Sequence, residues 1–277
     1  MILFPNAKIN LGLHVVTKRP DGFHSIETVF YPVNWCDALE VIENKQNKKE
    51  FEFTHSGLAI SGPAEQNLIF KAWELIKQEK ALPPVQVHLH KNIPMGAGLG
   101  GGSSDAAFFI HLLDSKFNLS LSLEKKMSIA KQIGSDCAFF INNHPTYAEG
   151  KGDEFSEIKL DLSAYYIVVV YPNIHSNTKD AYGALVPKKP LNELKEIIKN
   201  TAIEKWKDRL VNDFEMPIFK KYPAIEELKN TLYVLGALYA SMSGSGSAVF
   251  GIFKSEPKLK LPEGYSYYLQ KPFKKIL

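Results

Sequence analysis

The segment PMGAGLGGGSSDAA, residues 94 to 107, decides how the rest of the chain is read. Five glycines, Gly96, Gly98, Gly100, Gly101 and Gly102, fall within seven consecutive positions. Glycine reaches positive φ and leaves no Cβ between a backbone N–H and an anion. Ahead of the loop, Val85, Val87 and Leu89 alternate with Gln86, His88 and His90, which predicts a half-buried strand over Val85 to His90. Behind it, Ala106 to Leu113 has helix-forming residues, with Ser103, Ser104 or Asp105 expected as N-cap. A strand, a glycine loop and a helix start in that order make a phosphate cradle, because the orphan amides and positive dipole end of a helix attract anions.

Which phosphate loop this is follows from its spacing. Gly96, Gly98 and Gly101 formally satisfy the dinucleotide fingerprint GxGxxG. A Rossmann turn, however, follows its strand tightly, and here Lys91 to Pro94 intervene. Glu124 stands near the distance of a ribose-binding acid but heads a helical pattern instead. A Walker A loop is excluded, since no lysine follows the last glycine.

Working outward, strands are predicted at Ile9 to Val16, Ile26 to Val33, Ala38 to Ile42 and Lys49 to Phe53. Asn67 to Lys80 has helical spacing at Ile69, Ala72, Trp73 and Ile76, and Leu123 to Ile133 reads as a helix stopped by Gly134. A composition change in EGKGDEFSEIKL, residues 149 to 160, predicts a boundary that divides the chain into 1–155 and 156–277. Beyond it the apolar run Tyr165 to Tyr171 predicts a buried strand. Leu191 to Ile203, Trp206 to Phe214 and Ala224 to Leu235 predict helices, and Ala248 to Phe253 a strand after the loop MSGSGS. Both halves mix strands and helices, so the class is α+β.

Composition narrows the function. The chain has 277 residues, 45% hydrophobic and 23% charged, enough to bury a sizeable core. Its 33 Lys and Arg against 30 Asp and Glu give a net charge of +3, too little for a nucleic-acid partner without a local patch. The densest basic stretch, Lys254 to Lys275, is broken by Pro257, Pro262 and Pro272 and reads as a solvated tail. Two cysteines, Cys36 and Cys137, exclude a disulfide framework and a four-cysteine zinc site. No apolar run reaches the length of a membrane span and no secretory leader is evident, so a cytoplasmic protein with neither membrane nor nucleic-acid partner is expected.

PMGAGLGGGSS at 94–104 resembles the phosphate loop of the GHMP kinases, the superfamily of galactokinase, homoserine kinase, mevalonate kinase and phosphomevalonate kinase. PNAKINLGLHV at 5–15 is similar to its N-terminal strand, and MSGSGSAVFG at 242–251 to its C-terminal glycine motif. The resemblance implies a two-domain fold with ATP and acceptor in the cleft between the domains. It places ATP, used with Mg²⁺, on Pro94, Met95, Gly96, Ala97, Gly98, Leu99, Gly100, Gly101, Gly102, Ser103 and Ser104. Asp136, in GSDCAFF, matches the family's catalytic aspartate and Lys8 the lysine beside it, whose ammonium would keep Asp136 ionised. The metal ligands stay unassigned, although Ser104 could offer a hydroxyl near metal and phosphates or simply cap the helix. Gly244 and Gly246 would give close backbone approach to the acceptor and triphosphate.

RPDGFHSIETVF at 19–30 carries the acceptor reading. Asp21 and Gly22 form a turn that presents Phe23 and His24, an aromatic face beside a hydrogen-bonding ring, as a planar base requires. The stretch resembles the R-x-D-G-[YF]-H segment of the family branch whose acceptor is an alcohol linked to cytidine diphosphate, and VNDFE at 211–215 resembles another of that branch's segments. Carried over, Phe23 and His24 recognise cytosine, Tyr182 stacks on its other face, and Asn10 contacts the alcohol end near Lys8. The chain departs from the usual pattern at Phe23, commonly tyrosine, and at Cys137 and Ala138. Cys137 has no adjacent histidine and precedes an apolar run, which favours a structural role over a nucleophile. Another small-alcohol kinase of the family, or a noncatalytic relative, are the competing readings. The chain is expected to act as a monomer or homodimer.

Overall fold

The computed structural model describes residues 1–45, 49–190 and 193–273. They cluster into two compact units. The first comprises Met1–Ala7, Asn34–Met95 and Gly100–His144; the second comprises Lys8–Val33, Gly96–Leu99 and the chain from Pro145 onward.

The chain opens with β1 (Ile2–Leu3), β2 (Asn6–Lys18), β3 (His24–Cys36), β4 (Ala38–Glu43) and β5 (Phe51–Gly57). Then come α1 (Leu68–Lys77), β6 (Val85–Lys91), α2 (Gly101–Phe117), α3 (Leu123–Ile133) and α4 (Ser135–Asn142). In the first unit β1, β4, β6 and β5 form a sheet in that order. The predicted alternation of β6 holds: Val85, Val87 and Leu89 are buried, while Gln86, His88 and His90 are not. The strand expected at Lys49 to Phe53 runs on to Gly57, because β5 pairs in parallel with β6 from Phe51 opposite Val85 to Gly57 opposite Lys91. Its polar end is held by Thr54 and Ser56, which hydrogen-bond His88 at 2.8 and 2.9 Å. Asn67 caps α1 by accepting from the Ile69 N–H at 2.9 Å, and Gly134 ends α3 as expected.

The N-cap expected at Ser103, Ser104 or Asp105 is corrected. Helix α2 begins two residues before Ser103, at Gly101, and Ser104 and Asp105 are buried within it. Packing overrides the weak helix propensity of glycine here: a Cβ on Gly101 would lie 3.0 Å from both Ile93 Cγ2 and Lys91 Nζ.

The second unit holds two sheets. One runs β2, β3, β7 (Thr146–Glu149), β8 (Glu154–Glu157). After β8 the chain continues through β9 (Tyr166–Tyr171), α5 (Thr178–Gly183), α6 (Leu194–Asn200), α7 (Glu215–Lys221), α8 (Pro223–Val234), β10 (Tyr239–Met242), β11 (Val249–Phe253) and β12 (Ser266–Gln270). The other sheet is antiparallel, in the order β10, β11, β9, β12. Val168, Val170, Met242, Val249 and Phe253 from this sheet share a core with Ile225, Leu228 and Leu232 of α8. Each such side chain, fully removed from water, contributes about 1.5–3 kcal/mol.

Two further expectations change. Trp206 to Phe214 is not a helix: a 3₁₀ turn at Ile203–Lys205 and a second turn, in which Leu210 N–H donates to Trp206 O at 2.9 Å, lead to a short extended segment that bridges β2, where Leu13 N–H donates to Val211 O and Asp213 N–H to Leu13 O, both at 2.9 Å. The spacing of Trp206, Leu210 and Phe214 imitates a helix, but tertiary hydrogen bonds claim the backbone. The stretch Lys254 to Lys275 contains β12, paired with β9 from Ser266 opposite Tyr171 to Gln270 opposite Ile167, so it is not a solvated tail. Lys274 and Lys275, and Leu191 at the start of the predicted helix now seen at α6, lie outside the described residues.

Trp206 anchors the extended segment. It is 1% exposed, donates from Nε1 to Thr201 O at 2.9 Å and meets Tyr239 edge-on at 5.8 Å. Trp206→Ala should lower the unfolding free energy by about 3–5 kcal/mol, read from urea titration at unchanged m-value. A loss below about 1 kcal/mol would show that the segment does not depend on this anchor.

Candidate active site

The Gly98 carbonyl is the meeting point of three distant motifs. It accepts from Lys8 Nζ at 2.9 Å and from Ser243 Oγ at 2.8 Å. A Cβ on Gly98, whose φ is +78°, would collide with the Ser243 carbonyl oxygen and sit 3.3 Å from Gly246 N. Only glycine permits this approach. Backbone bonds complete the junction: Lys8 N–H to Leu99 O at 2.9 Å and Ala248 N–H to Ala97 O at 3.0 Å.

Lys8 is 3% exposed and lies 5.2 Å from the centroid of the Phe30 ring. Asn10 orients it, because Asn10 Oδ1 accepts from Lys8 Nζ at 2.7 Å while Asn10 Nδ2 donates to Thr28 Oγ1 at 2.9 Å. Thr28 in turn donates to Gly12 O at 2.6 Å. Both ends of the Asn10 amide are therefore engaged by the protein.

Gly96, Gly98 and Gly100 take φ of +65°, +78° and +70°. Gly100 is the N-cap of α2 and supplies no side-chain cap, so the first amides of that helix are left for another acceptor. A Cβ on Gly102 would meet nothing within 4 Å. Ser104 Oγ is fully buried and has no hydrogen-bond partner among the described residues. Beside this helix start, within the first unit, lies a cavity of about 380 Å³ lined by Phe53, His55, Asn67, Lys91, Met95 and Gly102. Its size and mixed lining suit a nucleoside.

Under the cavity a buried ionic cluster fixes the loop. Lys91 Nζ donates to Asp105 Oδ2 at 2.7 Å and also to Asp37. Asp37 Oδ1 accepts the N–H groups of Asn92 and Ile93 at 2.6 and 2.8 Å, which ties down the chain entering the glycines. One ammonium faces two carboxyls in this buried cluster. Burial pushes the Asp105 carboxyl up to about 8, with the Asp37 charge adding to the rise and Lys91 opposing it.

Asp136 sits in the first turn of α4, half-buried. The next residue, Cys137, is buried, and burial pushes its thiol up to about 12 against a hydrogen bond with Ser103. That thiol is no nucleophile. Among the described residues no group of three or more His, Cys, Asp or Glu side chains is placed to hold a metal ion, and no helix is long and apolar enough to cross a membrane.

The turn at 19–24 exposes Phe23 by 57%. Asp21 Oδ1 accepts the Phe23 N–H at 3.1 Å, Arg19 N–H donates to Phe23 O at 2.8 Å, and Lys151 Nζ stands 5.1 Å from the Phe23 ring centroid. His24 stacks on Tyr182 at 4.7 Å with 22° between planes, and Tyr182 meets Phe214 edge-on at 4.8 Å. Gly244 and Gly246 take φ of +56° and +88° in the loop after β10.

The VNDFE segment at 211–215 has a structural task that its residue pattern does not announce. Asn212 Nδ2 donates to Met242 O and Gly244 O, both at 2.8 Å. Glu215 Oε1 accepts from Ser241 Oγ and Met242 N–H, both at 2.9 Å, while its Oε2 takes Lys229 at 2.6 Å. Asp213 accepts the Val15 N–H at 2.9 Å. The motif clamps the second glycine loop from beneath.

Residues 67–144 match the family described as GHMP kinases N terminal domain, and residues 186–261 match GHMP kinases C terminal. A protein of Bacteroides fragilis named 4-diphosphocytidyl-2-C-methyl-D-erythritol kinase is 53% identical over 94% of each chain. One of the same name from Cytophaga hutchinsonii is 52% identical over 93% of this chain and 94% of the other. The crystal structure of a 4-(cytidine 5′-diphospho)-2C-methyl-D-erythritol kinase, 31% identical, covers 91% of this chain and 90% of its own with TM-score 0.76. The Methanococcus jannaschii mevalonate kinase shares the fold at TM-score 0.69 and 12% identity, over 99% of this chain and 98% of that one.

The ionic cluster has a pH signature. The folded chain keeps a proton on Asp105 that the unfolded chain releases near 3.8, so this group's contribution to stability falls as pH rises from there through about 8. Asp105→Asn should flatten that fall, read as Tm against pH from 5 to 9. A wild-type-minus-variant difference constant over the range would remove Asp105 as its source. Lys91→Met, which strands the Asp37 charge, should cost about 3–5 kcal/mol at neutral pH.

Proposed function

Because the chain belongs to the GHMP kinase family, we propose that it moves the γ-phosphoryl group of ATP to the 2-hydroxyl of 4-diphosphocytidyl-2-C-methyl-D-erythritol, giving the 2-phosphate and ADP. The reaction is a step of non-mevalonate isoprenoid precursor synthesis. The observation that carries it is the junction at Gly98, which joins the N-terminal strand, the phosphate loop and the C-terminal glycine loop through one carbonyl.

Phosphoryl transfer asks a protein chiefly for positioning and charge stabilisation. The glycine-loop amides and the start of α2 hold the phosphates, and the cavity beside them takes the adenosine. Asp136 accepts the proton of the attacking hydroxyl as its oxygen bonds to the γ-phosphorus and the bond to the ADP oxygen breaks. Lys8, fixed by Asn10 and Gly98, offsets charge developing on the reacting oxygens. Mg²⁺, which binds oxygen donors and substrate phosphates together, would neutralise phosphate charge when bound, and the unpartnered Ser104 hydroxyl is an oxygen of the right kind to hold it.

Phe23 and Tyr182 give cytosine its aromatic surfaces, and His24 its hydrogen bond. An aromatic ring exposed on a tightly bonded turn is what base recognition needs and what mevalonate or homoserine would not use. A noncatalytic relative would have no need for Lys8 and Asp136 together. Two free cysteines, Cys36 and Cys137, suit a reducing cytoplasm.

Asp136→Asn should lower turnover about a hundredfold or more while ATP affinity stays within a few fold, measured by ADP release and by nucleotide titration. Near-normal turnover would reject its role. Phe23→Ala and Tyr182→Ala should each raise the acceptor KM by about 5- to 100-fold, the worth of a base stack of about 1–3 kcal/mol, with the KM for ATP unchanged. Equal turnover of mevalonate or homoserine in the same assay would move the chain to another branch of the family.

A further inference from the structure

His175 lies on the phosphate loop and has no part in the reading above. A Cβ on Gly96 would fall 2.7 Å from His175 Cε1 and 2.8 Å from its Nδ1, so the edge of the imidazole rests directly against the first glycine of the loop. No other ring atom comes within 4 Å of that point, which leaves Nε2 directed away from the backbone. His175 is exposed, and neither ring nitrogen has a hydrogen-bond partner among the described residues.

Its place is fixed from both sides. Ile174 O accepts from Ser247 Oγ, and Ser176 Oγ donates to Ser245 O at 2.9 Å. Two residues on, Thr178 Oγ1 and Ser245 Oγ share a hydrogen bond of 3.0 Å. The segment bearing His175 is thus fastened to the C-terminal glycine loop while the ring touches the first one. Nearby, the backbone N–H groups of Gly96, Ala97 and Gly98 make no hydrogen bond among the described residues. A ring with a free N–H, held among uncommitted amides, is arranged to meet an oxyanion.

We propose that His175 is a phosphate-binding residue, its imidazole N–H donating to a phosphate oxygen of one of the two phosphate-bearing substrates. The proposal rests on the kinase reading above. The oxygen can belong to the ATP triphosphate or to the diphosphate of the acceptor, and the chemistry recognised is the same.

The test uses the full chain and two variants. His175→Phe keeps an aromatic ring on Gly96 but removes the donor; His175→Gln returns a donor. KM for each substrate is read by ADP release. Kd for a non-hydrolysable ATP analogue and for cytidine 5′-diphosphate is read by calorimetry, with Tm as the check on folding. His175→Phe should weaken one ligand about tenfold or more, as loss of a hydrogen bond to a charged group does, and leave the other within twofold. His175→Gln should recover to within about threefold of wild type on the same charge-assisted contact. Loss on the ATP side places the ring on the triphosphate, and loss on the cytidine diphosphate side places it on the acceptor. Both Kd values within twofold of wild type in His175→Phe, or equal losses in the two variants, would overturn the proposal. A wild type that binds both ligands but does not phosphorylate the diphosphocytidyl alcohol would sink the functional reading and leave the Kd comparison to decide His175.

Discussion

A single carbonyl oxygen, that of Gly98, organises the second unit. It has two lone pairs, and each is taken by a group from a different end of the chain, Lys8 near the start and Ser243 near the finish. The arrangement works only because Gly98 lacks a side chain, since any Cβ would displace the Ser243 backbone. An ammonium at 3% exposure needs partners, and two of them are oxygens held in place, that of Gly98 and that of Asn10, which is fixed by Thr28 as Thr28 is by Gly12.

Each glycine loop has a polar clamp below it. The Lys91, Asp37 and Asp105 cluster restrains the entry to the first, and Asn212 with Glu215 and Lys229 restrains the second. Glycine-rich backbone is entropically costly to order, and these clamps fix it through backbone groups in or beside each loop. A buried lysine between two carboxyls is weak evidence for stability in general. Here it does positional work, because the same carboxylate that pairs with Lys91 also holds two backbone amides.

Much of this was legible in the sequence where local chemistry and tertiary packing agree. The alternation of β6 and the Gly134 stop read true because side-chain period and backbone freedom point the same way. Trp206 to Phe214 misled because an i, i+4 apolar spacing says nothing about who owns the backbone hydrogen bonds: a turn on Trp206 O takes those of Arg209 and Leu210, and β2 takes those around Asn212. The C-terminal strand was hidden by lysines and prolines on either side of it, although its run of tyrosines is strand-like. Within the site, Lys8 and the glycines sit in contiguous motifs. Asp37 lies between β3 and β4, Lys91 at the end of β6 and Asp105 inside a helix, so nothing in a linear pattern links them.

The buried Cys137 thiol has a consequence for how the chain ages and how it can be watched. Buried beside Ser103, with its ionisation pushed up by burial, it should react slowly with alkylating reagents while α4 keeps its seat. Its labelling rate therefore counts the openings of the helix that carries Asp136, and the protein has a built-in clock for the loosening of that one turn.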